Sequence, residues 1–156
     1  MKTETRTVTV ERRMNGSPED VFPYFTDPAK HVVWQGTHAE LDPKPGGLYL
    51  VEMTPVSRVR GRYVEVDFPH RIVLEWGVEA EPGLPDVVYT VPPGSSRVEI
   101  TLTPDRDGTI VRVVHTGLAH DAAAGFTTLG WTGYLDRLVR VVAGGDPGAE
   151  HFQAPG

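Results

Sequence analysis

The segment RVEITLTPDRDGTIVRVVHTGL, residues 97–118, constrains the fold of this 156-residue chain more than any other. Apolar and polar residues alternate over 97–104, which puts Val98, Ile100 and Leu102 on one face. The run at 109–118 does the same for Val111, Val113 and His115. DRDG, residues 105–108, lies between them as hairpin-turn chemistry, so the two runs form adjacent antiparallel strands. One face of such a pair is apolar and needs a second layer to cover it.

The rest of the chain supplies both the partners and the cover. TRTVTVERRM (5–14) is β-branched and alternating, the pattern of a strand with one solvated face. In NGSPEDVFPYF, Ser17 is placed to cap a helix, Pro18 suits its first position and Asp20 favours its dipole. Pro23 forfeits a hydrogen bond inside that helix, so it is expected to be short or bent. Asp27-Pro28 repeats the signal for a second short helix, ending at Trp34. PKPGG (43–47) is a turn feeding a strand at 48–53, and 58–66 with 70–76 read as a hairpin about DFP. Residues 79–96 hold four prolines and two glycines and read as a long loop, a class of segment that is usually functional or mobile.

Asp121 is the expected cap of a last, long helix running to about Ala143. At ~100° per residue, Ala124, Trp131, Tyr134, Leu135, Leu138 and Val142 share its broad apolar face, with Arg137 and Arg140 opposite. That helix carries Gly125, Gly130 and Gly133, each costing roughly 1 kcal/mol against alanine. The order is strand, two short helices, a run of antiparallel strands, long helix. The fold class is therefore α+β, with a space between a curved sheet and the helix as the candidate site. One domain spans 1–143, and 144–156 reads as an unpacked tail.

Composition removes several functional classes. A formal charge of −6 argues against a general nucleic-acid binder and against anionic membrane surfaces. The chain has no cysteine, hence no disulfide and no thiolate metal site. No apolar run approaches the ~18 residues of a membrane span, and MKTETRTVTVERR lacks the apolar core of a secretory signal, so a cytoplasmic protein is the expectation. Gly46-Gly47 precedes a strand rather than a helix, so the context for phosphate binding is missing.

The order of elements resembles the START/birch-pollen-allergen superfamily, SRPBCC, and within it the branch named after the activator of heat-shock-protein-90 ATPase homologues. The resemblance rests on VFPYFTDPAKHVVWQG (21–36), PGGLYLVEM (45–53), GRYVEVDFPHRIVLEWG (61–77), PPGSSRVEITLTPDRDGTIVRVVHTGL (92–118) and GWTGYLDRL (130–138). It implies a helix-grip fold, a curved sheet of about six to seven strands wrapped around the C-terminal helix. A Gly-Trp pair, here Gly130-Trp131, is common in that helix. Glycine there lets a neighbouring segment approach while Trp131 projects toward the sheet, either for packing alone or to leave a loosely held, ligand-admitting helix.

Alternation nominates a site. Ile72, Leu74 and Trp76 share a face, as do Tyr49, Val51 and Met53. Trp34, Met53, Trp76, His115, Phe126 and Trp131 would then line an aromatic pocket suited to a small hydrophobic or aromatic molecule. The plain alternative is that they fill a solid core. His115 is the titratable member: it is a ligand contact, a general acid/base, or a histidine satisfied by a nearby carbonyl. His115, His120 and Asp121 invite a metal reading, but they straddle a strand end and a helix start, so no metal is expected. Ser95-Ser96 lack a nucleophile elbow. Glu52, Glu65, Glu75 and Glu99 are expected to face outward, and RVRGR (58–62) is a solvated basic face paired with acidic neighbours.

Three functions are compatible with these features, in this order: a small-molecule binder with no chemistry and no cofactor; an enzyme of the polyketide-cyclase or hydrolase kind using His115; a co-chaperone-like interaction module. A homodimer is compatible with each.

Overall fold

The computed structural model describes residues 4–148. Seven strands form one antiparallel sheet: β1 (Arg6–Met14), β2 (His38–Leu41), β3 (Leu48–Thr54), β4 (Ser57–Asp67), β5 (Arg71–Ala80), β6 (Ser96–Asp105) and β7 (Gly108–Leu118). Their order is β1-β7-β6-β5-β4-β3-β2, so all but the first strand form a meander in chain order, and β1 joins its far edge beside β7. The β6–β7 hairpin closes through Arg106 and Asp107, with Arg106 in the left-handed region at φ 59°. β2 is the strand that sequence patterning missed. Its four residues are too few to show a period.

The two short helices form as their caps dictate. In α1 (Pro18–Val21) the Ser17 hydroxyl accepts from the Asp20 N–H at 3.2 Å, and Pro23 makes the continuation a 3-10 turn, Phe22–Phe25. In α2 (Pro28–Trp34) Asp27 accepts from the Ala29 N–H at 3.0 Å. The long helix α3 (Asp121–Val142) departs from expectation at its start. Its cap is His120, whose Nδ1 accepts from the Ala123 N–H, because His120 holds the extended backbone of a cap and Asp121 is already helical. Asp121 instead pairs with Arg6 at 2.8 Å.

Arg137 does not lie on a polar outer face. It is buried, and its Nε–H donates to the Trp34 carbonyl at 2.9 Å. That carbonyl closes α2, where helix geometry provides no partner, and a guanidinium from α3 supplies one. Arg137 also donates to the Gly148 carbonyl and Arg140 to that of Pro147, so residues 144–148 are tied to α3. The remainder of the expected tail lies outside the described residues.

α3 lies across the apolar face of the sheet, most heavily against β1. Leu135, Leu138 and Tyr134 meet strand residues such as Val10, Ile100, Val111 and Val113 in one core. Register shifts at Thr7, Met53 and Val64 bend the strands, as bulges do, and help curve the sheet around the helix. The opposite face is charged. Arg58 and Arg60 pair with Glu79, Arg62 with Glu75, and Arg71 with Glu65 and Glu99. The basic cluster is thus a solvated face, as its sequence implied.

Candidate functional site

β5 runs four residues beyond its last pairing with β6, Trp76 with Ser96. The segment 81–95 folds over that unpaired stretch as a strap. Val78 N–H donates to the Val91 carbonyl at 2.6 Å, and the 3-10 turn Asp86–Tyr89 sits at the strap's centre. The Tyr89 hydroxyl accepts from the Leu84 N–H and donates to the Glu81 carbonyl, closing the strap on itself. Between strap, sheet and the first half of α3 lies a cavity of about 450 Å³. Its wall combines strap aliphatics (Leu84, Val87, Val88, Val91) with Trp76 and Trp131. Among the described residues, the lining contains no Asp, Glu, Lys or Arg.

Five of the six residues nominated from sequence border this cavity: Met53, Trp76, His115, Phe126 and Trp131. The Trp76 and Trp131 rings stand 5.1 Å apart, and Trp76 is 5.6 Å from Tyr49. Trp34 does not border it. The Trp34 indole is fully buried against Phe25 and His31, with Nε1–H donating to the Tyr24 carbonyl at 2.9 Å. A tryptophan whose N–H is bound inside the core cannot also close the pocket's end. The long loop supplies the wall that Trp34 was expected to provide.

The hydrogen bonds of His115 fix its tautomer. Trp131 Nε1 is only a donor, and it lies 3.0 Å from His115 Nδ1, so Nδ1 carries the lone pair. Burial pushes this imidazole down from 6.5 to about 4, which keeps it neutral near pH 7. Nε2 therefore bears the proton and donates to Ser96 Oγ at 2.8 Å, and the Ser96 hydroxyl donates to the Trp76 carbonyl at 2.8 Å. The chain Trp131–His115–Ser96–Trp76 runs in one direction with each donor and acceptor used. Ser96 cannot be activated by His115 in this state, because a base must offer its serine a lone pair and Nε2 offers a proton. Sequence reading offered His115 a nearby carbonyl as its plain partner and did not pair it with Ser96. The Ser96 contact comes from the β6–β7 register, which sets Val98 opposite His115 and brings Ser96 to its ring.

His31 forms a second buried centre, at the α2 end of the cavity. Its Nδ1 is 2.9 Å from the Tyr24 carbonyl, and Nε2 is 2.8 Å from the Gln35 carboxamide and 3.3 Å from the Tyr49 hydroxyl. Burial pushes His31 down to about 4 as well, and raises the Tyr49 phenol. Gln35 lines the cavity and is 2% exposed. Neither residue stood out in the sequence. The signal was available only as a polar side chain one position past an expected helix end.

Residues 15–143 match the family described as activator of Hsp90 ATPase homolog 1-like protein. The chain belongs to this AHSA1-like family. With it comes membership of the SRPBCC superfamily and its helix-grip fold. An AHSA1-like protein from Rhizobium etli, solved in solution, is 40% identical, the match covering 97% of this chain and 91% of that one at a TM-score of 0.72. DynU16, of the dynemicin biosynthetic locus, is 20% identical with a TM-score of 0.74, over 90% of this chain and 48% of that one. The Aha1 dimer from Colwellia psychrerythraea is 11% identical with a TM-score of 0.72, over 88% and 96%. At their identities the last two show a shared fold. No curated protein matches the sequence significantly.

Other motifs of this AHSA1-like chain have structural employment. His120 caps α3, and Glu65, Glu75 and Glu99 hold outward ion pairs. Among the described residues, no three His, Asp or Glu side chains gather as a metal site. Among the same residues, no helix is long and apolar enough to cross a membrane. Of the helix glycines, Gly130 lines the cavity, Gly133 borders a second hollow beside Arg137 and Arg140, and nothing in the structure explains Gly125.

Proposed function

We propose that this protein binds a neutral, flat hydrophobic molecule in the cavity between sheet, strap and α3, and performs no chemistry on it. One observation supports the reading: a cavity of about 450 Å³, within the size range of small-molecule sites, lined chiefly by aromatic and aliphatic groups and, among the described residues, by no charged side chain. A charged ligand would find no counter-ion there, whereas a planar one can stack on the Trp76–Trp131 pair. The resemblance in fold to a protein of a biosynthetic locus supports a small-molecule role. The enzyme alternative is weakened by His115, whose nitrogens are both committed to protein partners. We place the binder in the cytoplasm, on the sequence expectations alone.

The test is native mass spectrometry of freshly purified protein, then titration with naphthalene and 2-naphthol followed through the Trp131 indole N–H resonance. A noncovalent adduct released on denaturation, or saturable one-to-one binding of either probe, is the expected result. An apo mass with no saturable shift for either probe refutes the reading. The same spectra give the mass of one chain or two and so test the homodimer.

A further inference from the structure

Two polar side chains of the cavity wall, Gln35 and Thr127, carry an atom with no partner among the described residues, and only that of Gln35 belongs to a group whose other end is fixed by a buried ring. Gln35 is 2% exposed and lines the cavity, with its carboxamide Oε1 placed 2.8 Å from His31 Nε2. No described group hydrogen-bonds the other end. Every fully buried side-chain nitrogen or oxygen among those residues does have a partner. The remaining amide atom therefore borders open space, and for so buried a side chain that space is the cavity.

The ring of His31 decides which atom this is. Its Nδ1 faces the Tyr24 carbonyl at 2.9 Å and must donate, since a carbonyl offers no proton. Burial keeps the ring neutral near pH 7, so Nε2 carries a lone pair, with the carboxamide at 2.8 Å as its nearer partner and the Tyr49 hydroxyl at 3.3 Å as the farther one. A carboxamide has the same outline with its oxygen and nitrogen exchanged, and the hydrogen-bond network selects between the two. Oxygen toward Nε2 would oppose two lone pairs, or demand an imidazolium in the core. The NH2 group toward Nε2 satisfies both partners, and it turns the amide oxygen to the cavity.

Resting on the small-molecule reading above, we propose that Gln35 is the polar anchor of the site: its amide oxygen accepts a hydrogen bond from an O–H or N–H group of a neutral aromatic ligand. The cavity thereby selects phenol-like donors over ethers of the same shape. α2 holds the anchor in place, through the Gln35 N–H to the His31 carbonyl at 3.0 Å and through Arg137 on the neighbouring Trp34 carbonyl.

The experiment is calorimetric titration of the wild type and of Gln35→Met with naphthalene, 2-naphthol and 2-methoxynaphthalene. Methionine keeps the side chain's length and removes both polar ends. The wild type should prefer 2-naphthol to 2-methoxynaphthalene by about fivefold to tenfold, the scale of one net hydrogen bond. Gln35→Met should bring the ratio of the 2-naphthol and 2-methoxynaphthalene affinities close to one. Binding of all three with a preference unchanged by Gln35→Met overturns the anchor and leaves the cavity reading standing. A Gln35-dependent preference for the methoxy compound over both others overturns the assignment of oxygen to the cavity. Binding of none by the wild type overturns the small-molecule reading itself. Should Gln35→Met not fold, the wild-type Gln35 Cδ resonance decides: it shifts with 2-naphthol and not with 2-methoxynaphthalene, and equal or absent shifts refute the proposal.

Discussion

Mild acid should destabilise this protein, in a window set by two histidines. His31 and His115 are both buried, and burial pushes each from 6.5 to about 4. In the unfolded chain both return to the ordinary value. Between these limits the unfolded state binds two protons that the folded state refuses, so stability rises with pH there. The full contribution is present above pH 6.5 and is lost as pH falls toward 4, where the loss levels off. The difference amounts to about 3 kcal/mol for each ring and about 6 kcal/mol for the pair. That is comparable to the whole stability of a typical domain, roughly 5–15 kcal/mol.

The most strongly ion-paired carboxylate with a displaced pKa, Glu79, does not explain such a loss. It is held below 4.5 by hydrogen bonds from Arg60 and Arg58, so it remains charged through most of this window. Guanidinium unfolding followed by tryptophan fluorescence, in steps from about pH 7.5 to about pH 4.5, measures the slope directly. His115→Gln should remove about half of it. Stability that is flat from pH 7 to pH 5, or a His115→Gln slope equal to the wild type, would refute the argument that both rings are neutral and desolvated.

Two substitutions test the cavity and its wall. Gly130→Leu places a side chain in the cavity and removes a glycine penalty of roughly 1 kcal/mol from α3. It should abolish 2-naphthol binding while leaving the thermal midpoint unchanged or higher, and unchanged binding would show that the ligand does not occupy this space. Ser96→Ala leaves the His115 Nε2–H and the Trp76 carbonyl without their shared partner. It should cost about 1–3 kcal/mol in denaturant unfolding, and a loss below about 0.5 kcal/mol would refute the proton order assigned to the chain.

The fold was legible where residues repeat. Strand alternation located six of the seven strands and placed Ile72, Leu74, Trp76, Val111, Val113 and His115 on one buried face, because burial on a pleated sheet acts every second residue. Cap chemistry located both short helices. What failed was whatever depends on a partner distant in sequence. Arg137 is polar and so was assigned to solvent, yet its place is set by a carbonyl 103 residues away. Trp34 is aromatic and near the site in the chain, but the Tyr24 carbonyl turns its indole into the core. His31 and Gln35 form a pair only because α2 brings residues four apart onto one side.

The cavity exists for a reason that lies between those two classes. β5 outlasts β6, so the sheet has an open edge past Trp76, and the strap covers it without the period of a strand. Gly77 allows it: a Cβ there would lie 2.2 Å from the Pro92 carbonyl oxygen and from the Pro93 Cα, so the strap seats against bare backbone. The seat fixes the strap's return at Pro92–Pro93, and the Tyr89 hydroxyl fixes its outward bend. The space left over is then bounded by α3 at Gly130, where a side chain is missing. Size and apolar lining derive from the strap and this glycine, and on the proposed reading a ligand's orientation would derive from Gln35 on α2. In this arrangement strap substitutions at Leu84, Val87 and Val88 alter which hydrophobic shapes enter, while Gln35 continues to require a donor, so the two properties are separable by mutation.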